Sequence, residues 1–532
     1  MPDMDAIIVG SGAGGMTAGL KLAKDGCRVL LLEAMPSFGG YLNPFQRSGY
    51  RYDTGLHYVG DMAAGGAFRM MLDELGVGQR LSFVELDPDG FDRYVFPHHE
   101  LFICKGVERF QQRLRQMFEG DRNSVDRYFK VFHKILRAVR EAADTRGKWL
   151  LRLFFILRHP EMIRYHRQTY QQLLDSITAN RRLQAALSAM TGNLGTPPER
   201  ASIILAVMVM NHYLGGAYYP RGGSGAIRDA FVEELRRQGA VLESSRRVRS
   251  ITKKGKEFLV VTETGDSYSA GAVVSNVDPS LTLGNLIKPP DLVPTRLRNK
   301  ASRLKPSDGA FYAFIGTGLD LRALGISDAN LIHVNGYDVN AIINRLTAPQ
   351  IPDRIPYFFL TSPSVKDPQG GHAPNGYHSL QVITGTNYKM FERWSHLPSG
   401  HRGPAYESLK RRIGMRLIRE VERYVPGLSG NITQLTFATP LTNEYWVGAH
   451  KGGNFGPDQT PSQVGPGRFI DCSTGIRGLY LTGAGILGGG VMSCIASGFM
   501  AALKTADFLQ SRFAARPNPG QSARTPQGDR HS

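Results

Sequence analysis

The chain has 532 residues, 42% apolar and 21% charged, the balance of an ordinary globular protein, which excludes wholesale disorder. Lys and Arg outnumber Asp and Glu by 64 to 46, a formal charge of +18 that calls for an anionic partner, either nucleic acid or an anionic membrane surface. Four cysteines without CxxC or finger spacing exclude a disulfide scaffold and a structural zinc site, and no apolar run reaches the ~18 residues a bilayer span needs, so the sequence predicts a metal-free cytoplasmic protein, at most peripheral to a membrane.

Residues 5–33 read DAIIVGSGAGGMTAGLKLAKDGCRVLLLE. Ala6–Val9 is a short buried strand, Met16–Lys24 has helical spacing, Gly26 ends that helix, and Arg28–Leu32 is a second apolar strand. This is a βαβ unit with a glycine cluster at its first turn. Gly10 makes the turn, Gly12 admits a pyrophosphate to the backbone, and Gly15 lets helix and strand approach. The N–H groups of the helix start, at Gly12, Ala13 and Gly14, face the phosphates with the positive end of the helix dipole. Glu33, with Ala34 beside it, lies 23 residues after Gly10, where a carboxylate can accept from a ribose diol. Strand, glycines, helix, second strand and acid agree on a dinucleotide site.

The next stretch, 33–60, reads EAMPSFGGYLNPFQRSGYRYDTGLHYVG, with a glycine pair at Gly39-Gly40 and a DTG at Asp53–Gly55. Residues 105–190 have helix periodicity. From Lys134 to Arg167 there are nine bases and three acids, interleaved with the aromatic-aliphatic stretch Trp149–Leu157. Two readings fit: an interfacial helix dipping into lipid between its bases, or a core helix with a solvated basic face. No nucleic-acid-binding module appears.

Tyr219–Gly225 (YPRGGSG) precedes a predicted helix Ala226–Gln238, followed by strands at Ala240–Ser244, Val248–Ile251 and Phe258–Thr262 and by the run GAVVSNVDP at Gly271–Pro279. Gly309–Gly316, Leu331–Val334, Tyr357–Leu360 and His378–Thr384 alternate apolar and polar, which predicts an antiparallel sheet flooring a cavity. Pro440 opens a predicted loop to Gly456 in which Tyr445, Trp446 and Phe455 form cavity wall. An apolar strand Leu479–Thr482 then runs into glycines, and a long helix starts near Val491. Gly483–Gly488 fits GxGxxG, but no second strand with an acid follows, so it reads as a late strand of the first nucleotide domain. Phe513–Ser532, rich in Pro, Gly, Ser and Arg, is expected to be a disordered tail.

The glycine pair, the DTG, the VVSNVDP run and the late strand together resemble the FAD-dependent amine-oxidase and carotenoid-desaturase superfamily. FATPLTNEYWVGAHKGGNFGP resembles its carotenoid isomerase and retinol saturase branch; DTGLHYVG and FLTSPSVKD look most like retinol saturase. The resemblance implies an α/β fold. A Rossmann-type FAD domain would be assembled from 1–75, 212–290 and 465–510, and a mixed α+β substrate domain with an antiparallel sheet and a helical cap from 76–211 and 291–464. It further implies that Gly39 and Gly40 lie near the pyrophosphate, with Tyr41 where many members carry Arg. Gly55, Leu56 and His57 would run toward the flavin, and Val248 would bring backbone near the adenine. Gly483 and Ala484 would touch the ribityl or pyrophosphate, and the helix start at Gly490, Val491 and Met492 would face the flavin pyrimidine edge. The implied activity is saturation, desaturation or isomerisation of a C=C bond in a lipophilic polyene. An amine oxidase of the same fold and a non-catalytic prenyl-lipid-binding protein are the alternatives. His57 is the candidate proton donor to the carbon opposite the hydride; its other reading is a residue that fixes the loop.

Overall fold

The computed structural model describes residues 3–144 and 158–514. The basic-aromatic stretch Trp149–Leu157 and the expected tail beyond Ala514 lie outside the described residues.

Two large sheets organise the molecule. In the first, the central strand Met4–Val9 is flanked in parallel by Val29–Leu32 and by Ser267–Ser275; Val241–Glu243 continues the sheet beyond the former, and Leu479–Leu481 pairs in parallel with the latter. Val248–Lys254 and Glu257–Thr262 add an antiparallel hairpin on the same side. Ile7, Ile8, Leu30, Leu31, Val273 and Val274 are all buried. Uninterrupted apolar runs are what a parallel sheet covered on both faces selects. The covering helices include Ala13–Lys24, Ser224–Arg237 and Val491–Ala514. The first and last of these cross closely: a Cβ on Gly498 would stand 2.6 Å from the Gly14 carbonyl oxygen. Three sequence-distant pieces therefore share one sheet and one core.

The second sheet runs in the order Ile432–Ala438, Gly309–Thr317, His378–Thr386, Tyr357–Thr361, Asn330–Val334, Asp92–Val95, Glu100–Ile103. The four predicted runs sit at its centre, paired antiparallel. Helix Gly403–Val421 packs behind it. The described residues of 105–190 are largely helical, as predicted, and with helix Ile203–Leu214 they build a separate core. One of its helices, Tyr170–Ile177, starts on a capping box in which Thr169 and Gln172 satisfy each other's amides.

One expectation is corrected. Pro440–Gly456 is not a loop throughout: Pro440–Val447 is a helix, opened by a Thr439 cap with proline at its first position and closed by left-handed Gly448. Among the described residues no helix is long and apolar enough to cross a membrane.

Candidate active site

One cavity of about 1030 Å³ runs from the glycine turn of the first sheet to the near face of the second. Its first wall is Val9–Ala13. Gly10, at φ +92°, turns the chain out of the strand. A Cβ on Gly12 would stand 2.6 Å from Asn276 Nδ2, and one on Gly40 would stand 3.3 Å from the Gly12 Cα. Helix Ala13–Lys24 begins here, and no side chain caps it. Its Gly15 N–H donates to Asn276 Oδ1 (3.0 Å), which locks the turn to the strand Ser267–Ser275. Bare glycines before an uncapped helix start fit a pyrophosphate.

Gly14 and Gly15 are not on the cavity wall. They make room behind it: a Cβ on Gly14 would meet Gly483 N at 2.8 Å, and one on Gly15 would meet the Gly10 carbonyl oxygen at 2.0 Å.

Glu33 and Ala34 close the next side. Glu33 is buried, and it accepts from Ser11 N–H (2.9 Å) and Ser11 Oγ (2.5 Å) on one oxygen and from Met35 N–H (2.9 Å) on the other. A carboxylate has about four acceptor sites, so roughly one remains for a ribose hydroxyl. Val248, with Arg246 and Arg247, continues the wall.

Gly39, Gly40, Tyr41, Gly55 and Leu56 line the middle of the cavity. The Tyr41 side chain packs where a Cβ on Gly55 would stand (2.7 Å), and its hydroxyl donates to the Gly453 carbonyl (3.3 Å). Where an arginine would offer charge to a phosphate, this residue offers an aromatic wall. Gly483, Ala484, Gly490 and Val491 line the far side.

Besides Gly14 and Gly15, two further predicted residues are off the wall. Met492 is not on the wall and packs against the first core; Cys494, one helical turn from Val491, lines the cavity instead. Burial pushes the Cys494 thiol up to about 12, so it is a neutral wall group, not a nucleophile. His57 is also not on the cavity wall. Its ring lies 5.6 Å from that of Phe359, its Nδ1 is buried without a partner, and burial pushes the imidazole down to about 4. At neutral pH it is uncharged. The structure thus separates it from the cavity as a direct proton donor.

The predicted floor strand supplies Tyr312 and Phe314 and the predicted wall Trp446, whereas Tyr406 and Phe437 carry no local sequence signal. Tyr312 and Phe314 stack at 5.8 Å on the strand Gly309–Thr317, and Phe45 meets Phe314 edge-on at 4.8 Å. Burial, opposed by Asn443 and Asn454, pushes the Tyr312 phenol up to about 12. Fully buried Arg468 donates to the Pro457 carbonyl (2.8 Å), to Gln459 Oε1 (2.9 Å) and to the Ala484 carbonyl (3.2 Å), tying the predicted Phe455 wall to the last glycine turn. Tyr406, Phe437 and Trp446 carry the cavity outward to a mouth edged by Glu407 and Lys410, which pair with each other (2.7 Å). Among the described residues no cluster of His, Cys, Asp and Glu could hold a metal ion.

Residues 13–324 match the flavin containing amine oxidoreductase family. Among curated proteins, the chain is 27% identical over 519 residues to the all-trans-retinol 13,14-reductase of Rattus norvegicus, covering 92% of this chain and 84% of that one. It is 26% identical over 523 residues to the chloroplastic prolycopene isomerase of Arabidopsis thaliana, covering 94% and 82%. Among solved structures, wild-type putrescine oxidase bound to putrescine superposes with a TM-score of 0.64 at 14% identity over 95% of this chain and 99% of that one, a likeness of fold.

Proposed function

The chain belongs to the flavin containing amine oxidoreductase family and is an FAD-dependent oxidoreductase, and we propose that it acts on a C=C bond of a lipophilic polyene, a retinoid or carotenoid, with saturation as the leading direction. The observation that carries this reading is the aromatic lining beyond the glycine cradle. Tyr312, Phe314, Phe437, Tyr406 and Trp446 line it, and among the described residues the carboxylate on that side, Glu407, is paired with Lys410. A cationic amine would need a free carboxylate there; a long apolar chain needs none.

FAD supplies hydride exchange, which no side chain can perform. In this reading Gly10, Gly12, Ala13, Gly40, Gly483 and Gly490 hold its phosphates and ribityl by backbone, and Glu33 holds its ribose. Tyr312 and Phe314 stack along the conjugated chain and keep water out. We assign 1–75, 212–290 and 465–510 to the FAD-binding unit and 76–211 with 291–464 to the substrate unit.

The test is direct. Purified yellow protein, reduced with dithionite without oxygen, is incubated with all-trans-retinol and with a carotenoid, and the extracts are separated and weighed by mass spectrometry. Saturation gives a product two hydrogens heavier with a blue-shifted spectrum. Unchanged polyenes, together with peroxide made from an amine when the oxidised protein is assayed separately in air, would overturn the reading.

A water-insoluble substrate must come from lipid, and the charge of +18 suits an anionic membrane surface. Tyr445 and Trp446, 40% and 49% exposed, stand beside the mouth as interfacial anchors. Trp446→Ala is expected to lower co-sedimentation with phosphatidylserine vesicles several-fold and to leave FAD content unchanged; equal sedimentation of both proteins would remove Trp446 from the membrane contact.

A further inference from the structure

Behind the cavity, on the same face of the second sheet, lies a group of buried ionisable residues. Lys366 is 3% exposed. Its Nζ donates to Asn330 Oδ1 (2.5 Å) and to the His57 carbonyl (3.1 Å), and it lies over the rings of Tyr58 and Tyr219 at 5.6 and 5.5 Å. Asn330 Nδ2 donates to Asp92 Oδ1 (2.7 Å), and the Tyr58 hydroxyl donates to Asp92 Oδ2 (2.8 Å). Among the described residues no carboxylate lies in ion-pair contact with Lys366. Burial pushes the lysine down to about 7, opposed by Asp92, Asp328 and Asp53. Burial likewise pushes Asp92 up to about 6, opposed by Asn330, Tyr58 and Lys366. Besides the carboxylates Asp53 and Asp328, the titratable groups facing them are His57 and the phenols of Tyr58, Tyr94, Tyr213, Tyr219 and Tyr357, all pushed toward the uncharged form by burial. An apolar side chain of similar volume would fill such a site at no electrostatic cost, so packing alone does not call for this group.

A second observation is independent of those charges. Strand pairing sets Asn330 opposite Asp92, Thr361 opposite Gln381, and Gln381 opposite Phe314, which lines the cavity. The register of the intervening pair sets Thr361 beside Asn330. On this row Thr361 Oγ1 is buried without a hydrogen-bond partner, and the Gln381 amide, also buried, faces the His57 ring closely enough to favour its charged form and has no other partner. Buried polar atoms are rarely left unpaired, and neighbouring ones in a line are the partners that ordered water takes.

We propose that Lys366 and Asp92 form a proton reservoir, and that the polar row through His57, Thr361 and Gln381 carries its proton to the cavity wall at Leu56 and Phe314. The proposal deepens the polyene reading and rests on it. Saturating a C=C bond takes, besides the hydride that FAD supplies, one proton on the other carbon. That proton leaves the Lys366 ammonium, which becomes a neutral amine, and is replaced from solvent through Asp92. The two electrons come from a reductant of the flavin, dithionite in the test. Lys366 touches neither substrate nor cofactor, so it acts through the row.

The test uses FAD-loaded full-length protein. The midpoint potential of bound FAD is measured by dye equilibration between pH 5 and 9, without polyene. Wild type is expected to show an inflection near neutral pH, because reduction places negative charge in the cavity and draws a proton onto Lys366. Lys366→Met should abolish that inflection, and Asp92→Asn, which keeps the hydrogen bonds of Asn330 and Tyr58 closer to intact, should move it to lower pH. Under the polyene assay, Lys366→Met should also lower kcat by ~100-fold at neutral pH with KM unchanged, the usual scale of a lost proton donor. An inflection that stays in place in the variants would overturn the reservoir whatever the substrate is. An inflection that moves as expected, in a protein that leaves polyenes untouched, would instead overturn the polyene reading and with it the use of the proton for saturation.

Discussion

Gly12→Val should give a folded protein without colour, and Gly15→Val a protein that is both colourless and markedly less stable. The two glycines sit in the same turn but meet different neighbours. A side chain at position 12 would push against Asn276 Nδ2, the end of a side chain, and would fill the space in front of the helix start. Asn276 can give way, so the fold survives, while the phosphates lose their approach. A side chain at position 15 would meet the Gly10 carbonyl oxygen at 2.0 Å, where only backbone could move. Overpacking against rigid backbone costs about 3 kcal/mol or more. The measurement is visible flavin absorbance per mole of protein, combined with melting in the presence and absence of added FAD. Wild type should melt higher with FAD, since a ligand of the native state stabilises it by mass action. Gly12→Val should melt near the wild-type apoprotein and ignore FAD. Gly15→Val should melt lower than both. Gly430→Ala, a glycine with open space around it, is the control and should keep its flavin. Yellow Gly12→Val would remove the phosphates from this turn.

The parts of this site that could be read from sequence are those whose physics is local. Residues 5–33 hold strand, turn, helix and acid within one short segment, and each glycine there has a steric task that its neighbours in sequence define. The alternating runs of the second sheet announce themselves by period in the same way. The strands Asp92–Val95 and Glu100–Ile103 do not, because they are four residues each, too short for a period to show, and half-buried positions among them hold charged residues, Arg93 pairing with Glu100 across the strands (2.6 Å). The helix Pro440–Val447 hid among turn-forming residues, since Pro and Thr serve a helix start as well as a loop. The DTGLHYVG motif places His57 toward the flavin with Leu56, yet Leu56 faces the cavity and His57 the polar row behind it. Asn276 stands in the GAVVSNVDP run, but its task of holding Gly15 depends on strands far apart in the chain lying side by side. The same holds for Lys366 and Asp92, which only the finished sheet brings together.

Asp53 shows how a motif residue can have a task other than the one its motif suggests, and its replacement should be among the most damaging in the chain. It is 2% exposed and does not line the cavity. One carboxylate oxygen accepts from Ser224 N–H (2.8 Å) and Ser224 Oγ (2.7 Å), and the other from the Tyr219 hydroxyl (2.5 Å). Ser224 begins the helix Ser224–Arg237, so the carboxylate meets the positive end of that helix. Gly223, at φ +73°, is what lets it come so near: a Cβ there would stand 2.7 Å from Asp53 Oδ1. The acid therefore clamps the YPRGGSG turn onto the segment that carries Thr54, Gly55 and Leu56 into the cavity wall. Asp53→Ala strands three buried donors, at a cost of about 3–5 kcal/mol. Asp53→Asn should be nearly as harmful, because its amide can turn only one acceptor toward three donors. Tyr219→Phe removes one donor and leaves the carboxylate its two others, so it should cost about 1 kcal/mol. Urea unfolding of the four proteins should rank them wild type, Tyr219→Phe, Asp53→Asn, Asp53→Ala, with flavin content falling in the same order as the wall segment loosens. An Asp53→Ala protein as stable as Tyr219→Phe would show that the clamp is not what holds these two segments together.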